Sequence, residues 1–374
     1  MRITVLNWRD RRHPRAGGAE VFNHEVARQW VQEGHDVCIV ASRFRGTDRL
    51  SVDDGVTVIR AGRLFDGSHH LRAPAAAEST RPDVILESIN TIPYWLPQRI
   101  RGTATATLVH QLARDVWRMH LPSAAAGLAK RTESLFYRPY GTRHVLAVSE
   151  STRADLMSVG VDDVSVIPQG GLGHQETLPK DPVPTLIFVG RLIENKRPDH
   201  AVEAFRFIRS EVPEARLWVV GDGKMKDQLA SELPPGAELV GRLSRGELLA
   251  RMGRAHLLIA TSVREGWGLV VTEANALGTP AVTYDVPGLR DSVRSGVTGV
   301  TTSVAPDALA AAALSLLRDE HRYNELRRAA IEWGTAFSWD RTARVLLEHL
   351  REASGHIGDT RTKAKGEQRN LLRP

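Results

Sequence analysis

A chain of 374 residues is long for one domain, so two domains are expected. Its hydrophobic content of 42% suffices for ordinary cores, and no apolar stretch approaches the roughly 18–20 residues of a membrane span. The single cysteine, Cys38, excludes internal disulfides, and the apolar run at the N-terminus is too short for a signal peptide, so we expect a cytoplasmic protein.

The net charge of +6 is concentrated in the last residues of the chain. Residues 353–374 carry five basic and two acidic side chains, which is half of the total, in a polar segment without periodicity. The rest of the chain is too weakly basic to favour a nucleic-acid partner. We expect the tail to be disordered, and it either contacts anionic lipid or keeps the protein soluble.

Short apolar runs alternate with helical patterns along the first half of the chain, which is typical of doubly wound α/β domains. Strands are predicted at residues 3–6, 37–40, 56–59, 84–86, 105–109, 145–148 and 164–167. Helices are predicted at residues 19–33 and 150–159, and residues 114–140 are predicted to be irregular or helical.

The second half repeats the same alternation after a proline-rich linker at residues 175–184. Strands are predicted at residues 186–189, 217–220, 238–240, 257–260, 281–284 and 299–301. Helices are predicted at residues 198–210, 223–231, 245–253, 268–277, 289–295, 306–319 and 323–334, with a last helix that ends near residue 351.

The pattern predicts an α/β protein with two facing Rossmann-like, doubly wound domains and a cleft between them. The predicted domains are residues 1–177 and 178–335, followed by a C-terminal helix at 336–352 and the basic tail at 353–374. Ligands of open α/β sheets bind at the carboxyl ends of the strands, so functional residues are sought in the loops that follow strands.

Two acidic residues, Glu265 and Glu273, flank seven others in the loop and helix that follow the predicted strand at 257–260. Glu265 belongs to a Glu-Gly-Trp-Gly turn, which places it beside a helix N-terminus where unpaired N–H groups favour an anion such as a diphosphate. From the spacing alone, two solvent-exposed acids are an equally good interpretation.

This stretch resembles the Glu-(seven residues)-Glu motif of retaining, nucleotide-sugar-dependent glycosyltransferases of family 4, which have the GT-B architecture. The resemblance implies that Glu265 binds hydroxyls of the donor sugar and that Glu273 binds the ribose of the nucleotide. It also implies that the C-terminal helix crosses back onto the first domain. The other donor contacts implied by the motif are Gly266, Trp267, Gly268 and Leu269, with Trp267 in the place where the family usually has phenylalanine.

One loop near the start of each predicted domain carries a further match to the family. Gly17 and Gly18 precede the first helix and resemble the family's Gly-Gly-x-Glu loop, in which backbone N–H groups approach a phosphate; a plain turn is the alternative. The segment from Gly190 resembles the family's Gly-Arg-Leu-…-Lys-Gly loop, which implies that Arg191 and Lys196 bind the diphosphate. A solvated basic loop is the alternative for that pair.

His110 ends an apolar strand and resembles the strand-end histidine that contacts the donor sugar in this family. We expect a role in the site, without assigning an acid–base step. Ser149 also resembles a recurrent family position, but a helix N-cap explains it equally well. Asp291 stands where the family's Gly-x-x-Glu turn has glutamate, so a catalytic role for it is weakly supported.

The chain contains no Asp-x-Asp pair and no Cys/His cluster, so no metal and no cofactor is expected. Arg191, Lys196 and the helix N-terminus after Gly266 would instead balance the diphosphate charge. Basic residues near Gly17 and His110 suggest a phosphate-bearing acceptor, with solvated charge as the alternative. They are Arg9, Arg11, Arg12, Arg15, Arg114, Arg118, Lys130, Arg131 and Arg138.

These observations together predict a retaining glycosyltransferase that moves a sugar from a nucleotide-diphosphate sugar to an unidentified, phosphate-bearing or lipid-linked acceptor. His110, Arg191, Lys196 and Glu265 are the predicted catalytic group. The alternatives are a sugar-nucleotide epimerase of the same architecture and a non-catalytic protein that binds anions or lipid. No nucleic-acid partner is expected, and peripheral contact with the inner face of the cell membrane is one further hypothesis.

Overall fold

The computed structural model describes residues 1–64, 66–117 and 122–355 of the chain, apart from the side chain of Asp115. These residues form two α/β units, each built on its own largely parallel sheet. The sheet order is β3-β4-β2-β1-β5-β6-β7-β8 in the first unit and β11-β10-β9-β12-β13-β14 in the second. The predicted fold class, two facing doubly wound α/β domains, is therefore confirmed.

The strands of the first unit are β1 (Arg2–Leu6), β2 (Asp36–Ala41), β3 (Leu50–Asp53), β4 (Val56–Arg60), β5 (Val84–Asn90), β6 (Ala104–Gln111), β7 (Val145–Ala147) and β8 (Val164–Val166). Its helices are α1 (Gly18–Gln32), α2 (Ser68–Ser79), α3 (Leu96–Arg99), α4 (Ser123–Tyr137) and α5 (Glu150–Met157). Only β3, which pairs with β4, runs antiparallel within this sheet.

The strands of the second unit are β9 (Thr185–Val189), β10 (Arg216–Val220), β11 (Ala237–Gly241), β12 (Leu257–Ala260), β13 (Ala281–Tyr284) and β14 (Gly299–Thr302). Its helices are α6 (Pro198–Glu211), α7 (Lys226–Glu232), α8 (Arg245–Arg254), α9 (Leu269–Ala276), α10 (Leu289–Ser292), α11 (Pro306–Arg318) and α12 (Glu320–Thr335). The last described helix is α13 (Trp339–Ala353).

Helix α13 packs on the first unit, although the chain reaches it from the second. Its buried residues Ala343, Leu346, Leu347 and Leu350 recur at helical spacing and join the core of the first sheet. The indole of Trp30 in α1 donates a hydrogen bond to the Ala343 carbonyl at 2.9 Å. The chain therefore crosses between the units twice, which ties their cores together.

The sequence prediction missed β3 and two helices, α2 and α3, all in the first unit. Helix α2 was missed because it contains Pro74, a residue that normally ends a helix, and because it buries mainly alanine and histidine. Most predicted ends differ from the observed ones by a few residues. The predicted helix at 223–231 begins later, at Lys226, and the one at 289–295 ends earlier, at Ser292.

The irregular or helical stretch predicted at 114–140 contains a short 3-10 helix (Arg114–Val116), α4 and a second 3-10 turn (Arg138–Tyr140). Residues 118–121 of that stretch, including Arg118, lie outside the described residues. Residues 356–374 of the predicted tail lie outside them as well. Within the part of the chain that the structure describes, none of the helices is both long and apolar enough to cross a membrane.

Candidate active site

The end of β6 and the loop that follows β12 meet in the cleft between the two units. Gly266 lies so close to the first unit that an added Cβ atom would stand 2.6 Å from the carbonyl oxygen of His110. Only glycine fits this approach, because any side chain would collide with backbone. The contact brings Glu265, one residue earlier, to the boundary between the units.

Glu265 and Lys196 form an ion pair on the second unit. Lys196 ends the 3-10 helix Glu194–Lys196 that follows β9, and Glu265 lies after β12, the neighbouring strand in the sheet. Glu265 Oε1 also accepts a hydrogen bond from Ser262 Oγ at 2.5 Å. Thr261 Oγ1 donates to the Lys196 carbonyl at 2.8 Å, which fastens the two loops together.

Glu273 lies on α9 and is held by an arginine that the sequence analysis did not single out. Arg245 Nη2 and Nη1 donate to its two carboxylate oxygens at 2.5 Å and 3.1 Å. Burial lowers the pKa of Arg245, but the hydrogen bonds and charge of Glu273 outweigh it and raise that pKa overall. Arg245 follows an ordinary capping box at Ser244, so its position gave no signal of a role in the site.

Arg191 is partly buried near charged side chains of both units. Burial lowers its pKa, and the charges of Arg9 and Arg15 from the first unit lower it further, whereas Glu20 and Glu265 oppose the shift. The guanidinium groups of Arg9 and Arg15 therefore repel that of Arg191, and one acid from each unit offsets part of this repulsion. An anion bound here would relieve that repulsion.

The glycine loop of the first unit closes on itself. Gly17 N–H donates to Glu20 Oε2 at 2.6 Å, and Glu20 Oε1 lies 3.3 Å from Arg9 Nε. An added Cβ on Gly18 would stand 3.6 Å from Leu269, the first residue of α9. The loop therefore reaches the start of α9, but the Gly17 N–H already has an internal acceptor that a phosphate would have to displace.

His110 lies within β6 and is almost completely buried. Its Nε2 atom is 2.9 Å from Ser88 Oγ, which accepts a hydrogen bond from Asn23 Nδ2 at 2.8 Å. Phe22 contacts the imidazole edge-on with ring centroids 5.3 Å apart. Burial lowers the pKa of His110 to about 3, so the imidazole is neutral at physiological pH.

Three further residues that the sequence analysis named have structural partners. Ser149 caps α5 by accepting a hydrogen bond from Thr152 N at 3.1 Å, as the N-cap interpretation predicted. Asp291 accepts from Gly288 N at 2.9 Å and from Ser151 N of the first unit at 3.0 Å. Trp267 packs edge-on against Phe337 with ring centroids 5.4 Å apart.

Several of the basic residues proposed to bind an acceptor phosphate are ion-paired. Arg11 and Arg12 contact Asp53 at 2.5 Å and 2.9 Å. Burial alone would raise the pKa of Asp53, but these two hydrogen-bonding guanidinium groups hold it at about 2. Arg114 lies 3.7 Å from Asp155. The pairing reduces the charge that these residues offer to an acceptor.

Two facing α/β units on largely parallel sheets, with a cleft between them, have the GT-B architecture. Residues 16–170 match the family description "Glycosyltransferase Family 4", and residues 173–333 match "Glycosyl transferases group 1". The D-inositol 3-phosphate glycosyltransferase of Nocardioides sp. is 31% identical over 91% of this chain and 86% of its own. The chain therefore belongs to glycosyltransferase family 4.

Other similar proteins agree with this assignment. The glycogen synthase of Mycobacterium tuberculosis is 26% identical over 92% of both chains. The solved structure of sucrose-phosphate synthase from Thermosynechococcus elongatus aligns with a TM-score of 0.78 and 19% identity, over 95% of this chain and all (100%) of that one. Anabaena HepE, solved in complex with UDP and glucose, aligns with a TM-score of 0.70 and 17% identity, over 94% and 100% of the two chains.

Proposed function

We propose that this glycosyltransferase moves a sugar from a nucleotide-diphosphate sugar to an acceptor with retention of configuration at the sugar carbon. The observation that carries the proposal is the Lys196–Glu265 ion pair at the cleft, with Arg191 in the same loop as Lys196. The neighbour solved with UDP and glucose, and the sugar-transferring relatives, support a nucleotide sugar as donor.

The ion pair supplies a simple route for recognising the donor. A diphosphate entering the cleft attracts Lys196 and Arg191, and Glu265 is then released to accept hydrogen bonds from the sugar hydroxyls. On α9, Glu273 has lone pairs beyond those that Arg245 occupies, and these accept from the ribose. Both carboxylates therefore exchange or share a cationic partner when the donor binds.

The same cations then promote the chemical step. The bond between the sugar carbon and the diphosphate oxygen breaks, the acceptor oxygen forms the new bond on the same face, and the leaving phosphate takes the acceptor proton. Negative charge grows on the diphosphate during this step, so Arg191 and Lys196 stabilise the transition state more than the bound donor. His110, which is neutral, contributes a dipole beside the reacting sugar and no proton.

No metal or other cofactor is required in this proposal, because Arg191 and Lys196 supply the charge that balances the diphosphate. Activity is expected to survive incubation with EDTA. Complete loss on chelation, with recovery on adding magnesium or manganese, would contradict metal independence while leaving the glycosyltransferase assignment intact.

The acceptor is proposed to carry a phosphate or a lipid-linked phosphate, because the names of several relatives specify an inositol 3-phosphate. The basic residues near Gly17 would face it. We further propose a cytoplasmic enzyme with peripheral contact to the anionic inner face of the membrane, through the basic residues of the C-terminal tail.

The experiment is incubation of the purified protein with a panel of nucleotide sugars, with and without acceptor extracts, followed by measurement of nucleoside diphosphate release and of the product's anomeric configuration. Acceptor-dependent release and a retained configuration are expected, with loss in Lys196→Ala and none in Lys226→Ala, an exposed lysine on α7. Conversion of the donor sugar without acceptor would indicate an epimerase. Absence of reaction with every donor would contradict the proposal.

A further inference from the structure

Helix α5 of the first unit touches the second unit at two points, and both points adjoin Glu265. Asp155 forms an ion pair with Arg264, the residue immediately before Glu265. Ser151 N donates to Asp291 Oδ1 at 3.0 Å. We call these four residues (Ser151, Asp155, Arg264 and Asp291) the interdomain latch.

The Arg264 contact is mostly buried. The exposed fractions of the side chains are 9% for Arg264 and 19% for Asp155, so solvent screens the pair little. Arg114 fixes Asp155 from the side of its own unit, where Arg114 Nη2 donates to the Asp155 carbonyl at 3.1 Å. Asp155 is therefore held by contacts from both units, one of them with the loop that carries Glu265.

The Asp291 contact acts on Glu265 through a neighbouring turn. Asp291 Oδ2 accepts from Gly288 N at 2.9 Å, and Glu265 N donates to the Pro287 carbonyl at 3.0 Å. An added Cβ on Gly288 would stand 2.7 Å from the Cβ of Glu265. The turn at 287–288 thus packs directly on Glu265, and Asp291 fastens that turn to α5.

Helix α5 also contacts the histidine strand. Thr152 Oγ1 donates to the His110 carbonyl at 3.1 Å, the same oxygen that Gly266 approaches. One short helix therefore holds the backbone of His110 and both segments around Glu265. The helix therefore connects the His110 strand with the two segments that surround Glu265.

We propose that Asp155 and Arg264 are positioning residues whose ion pair, with the Ser151–Asp291 hydrogen bond, holds Glu265 in register with His110 across the cleft. The proposal rests on the proposed function for the role of Glu265 toward a donor sugar. Arg191, Lys196 and Glu273 all belong to the second unit, so breaking the latch leaves most donor contacts in place. Its loss should therefore lower kcat far more than it raises the donor KM.

The first test needs no substrate. Hydrogen exchange of the backbone amides in residues 262–268 is compared between wild type, Asp155→Asn and Glu150→Gln. Glu150 is the matched control, because it lies on the same helix and forms its ion pair with Arg153 of that helix, both side chains being about half exposed. Faster exchange in Asp155→Asn alone is expected; equal exchange in all three proteins would overturn the proposal.

The second test measures turnover of the donor found active. Asp155→Asn and Arg264→Gln should each lower kcat by about tenfold to a hundredfold, as small displacements of reacting groups do. The donor KM should change by less than about threefold, which corresponds to less than about 1 kcal/mol of binding free energy. The double variant should lose no more than either single variant. Losses that multiply, or a KM effect as large as the kcat effect, would overturn the positioning role.

A second variant guards against misfolding of Asp155→Asn. In Asp291→Asn the amide oxygen can still accept one hydrogen bond, so faster exchange at 262–268 and a smaller fall in kcat are expected. Unchanged exchange and kcat in a folded Asp291→Asn would remove the second attachment from the latch. If no nucleotide sugar reacts with wild type, the proposed function fails, whereas the exchange comparison still decides whether the latch exists.

Discussion

The two sides of the cleft, one formed by each unit, differ in the charge of the side chains at their centre. On the second unit, Glu265 and Glu273 each face a cation, Lys196 and Arg245, at a point where a ligand can exchange partners with them. On the first unit, the central His110 is neutral, buried and bonded to an uncharged serine. We call the second-unit side, with its two exchangeable ion pairs, the charged wall, and the part of the first unit around His110 the neutral wall.

The arginines of the first unit strengthen this contrast. Arg11 and Arg12 share Asp53, and Arg9 lies against Glu20, so much of their charge is already balanced. On the second unit, burial is the main cause that lowers the pKa of Arg191, and its charge is thus poorly stabilised by its surroundings. A new anion therefore gains most from the loop that holds Arg191 and Lys196.

Removing a cation from the charged wall should have the largest effect. Arg191→Ala and Lys196→Ala should each lower kcat by about a hundredfold or more, because the charge they oppose grows as the donor bond breaks. Donor affinity, measured by calorimetry, should fall less than kcat. Arg318→Ala, which breaks an exposed pair with Glu211, should leave both unchanged. Equal losses of affinity and kcat would mean that the cations bind the ground state and the transition state alike.

Removing Glu273, the carboxylate that we propose to bind the ribose, should have a smaller effect, confined to donor binding. Glu273→Ala should weaken donor affinity by about 1.5–3 kcal/mol, since a hydrogen bond to a charged acceptor is lost. Calorimetry with the active donor measures this change. Glu238→Ala is the control, because Glu238 also pairs with an arginine, Arg251, but on the edge strand β11. Unchanged affinity in folded Glu273→Ala would contradict the assigned role.

Because His110 is buried in its neutral form, we predict that the free energy of unfolding depends on pH. Burial lowers the pKa of His110 to about 3, below the ordinary value of 6.5, so the unfolded chain binds a proton there that the folded protein does not. The stability this provides is complete above pH 6.5 and is lost progressively as the pH falls toward 3.

Replacing His110 tests that effect. Between pH 6.5 and 4.5, His110→Gln should lose less unfolding free energy than wild type, by at least about 1 kcal/mol. Urea unfolding across this range measures the difference. His321→Gln, at a side chain that is 84% exposed, should follow wild type. Parallel curves for wild type and His110→Gln would show that the imidazole is not held neutral by burial.

Removing the C-terminal tail should have the smallest effect on turnover, because the residues assigned to the two sides of the cleft all precede it. Helix α13 ends at Ala353, so truncation after Gly355 keeps it whole, and turnover of soluble substrates should be nearly unchanged. Co-sedimentation with anionic liposomes at low and physiological salt should weaken, because the five basic residues of the tail are lost. Loss of turnover would show that the tail belongs to the fold, and equal sedimentation would place any membrane contact on the folded body.

Sequence patterns predicted the second unit better than the first. Every strand of the second sheet was predicted, because most of them are short apolar or β-branched runs bounded by turn residues. In the first unit, β3 was missed: two of its four residues, Leu50 and Val52, are exposed apolar side chains on an edge strand, without the continuous apolar run of a buried parallel strand. Tertiary packing, which is not visible in local patterns, decides such elements.

The same limit applies to the candidate site. Motif spacing identified Glu265 and Lys196, and the structure brings them into contact. It gave no signal for Arg245, Asp155 or Arg264 as partners, because Arg245 lies 28 positions from Glu273 and Asp155 lies 109 positions from Arg264. Pairs that meet only through the topology of the sheets, or across two domains, cannot be found from one sequence.

The most direct test of the charged wall is calorimetric titration of nucleoside diphosphates into wild type and into the double variant Arg191→Ala/Lys196→Ala. The account predicts that at least one nucleoside diphosphate binds wild type and that the double variant binds it at least about a hundredfold more weakly, since two charge-assisted contacts are lost. Equal affinity for the two proteins, or no binding of any nucleoside diphosphate to wild type, would contradict it.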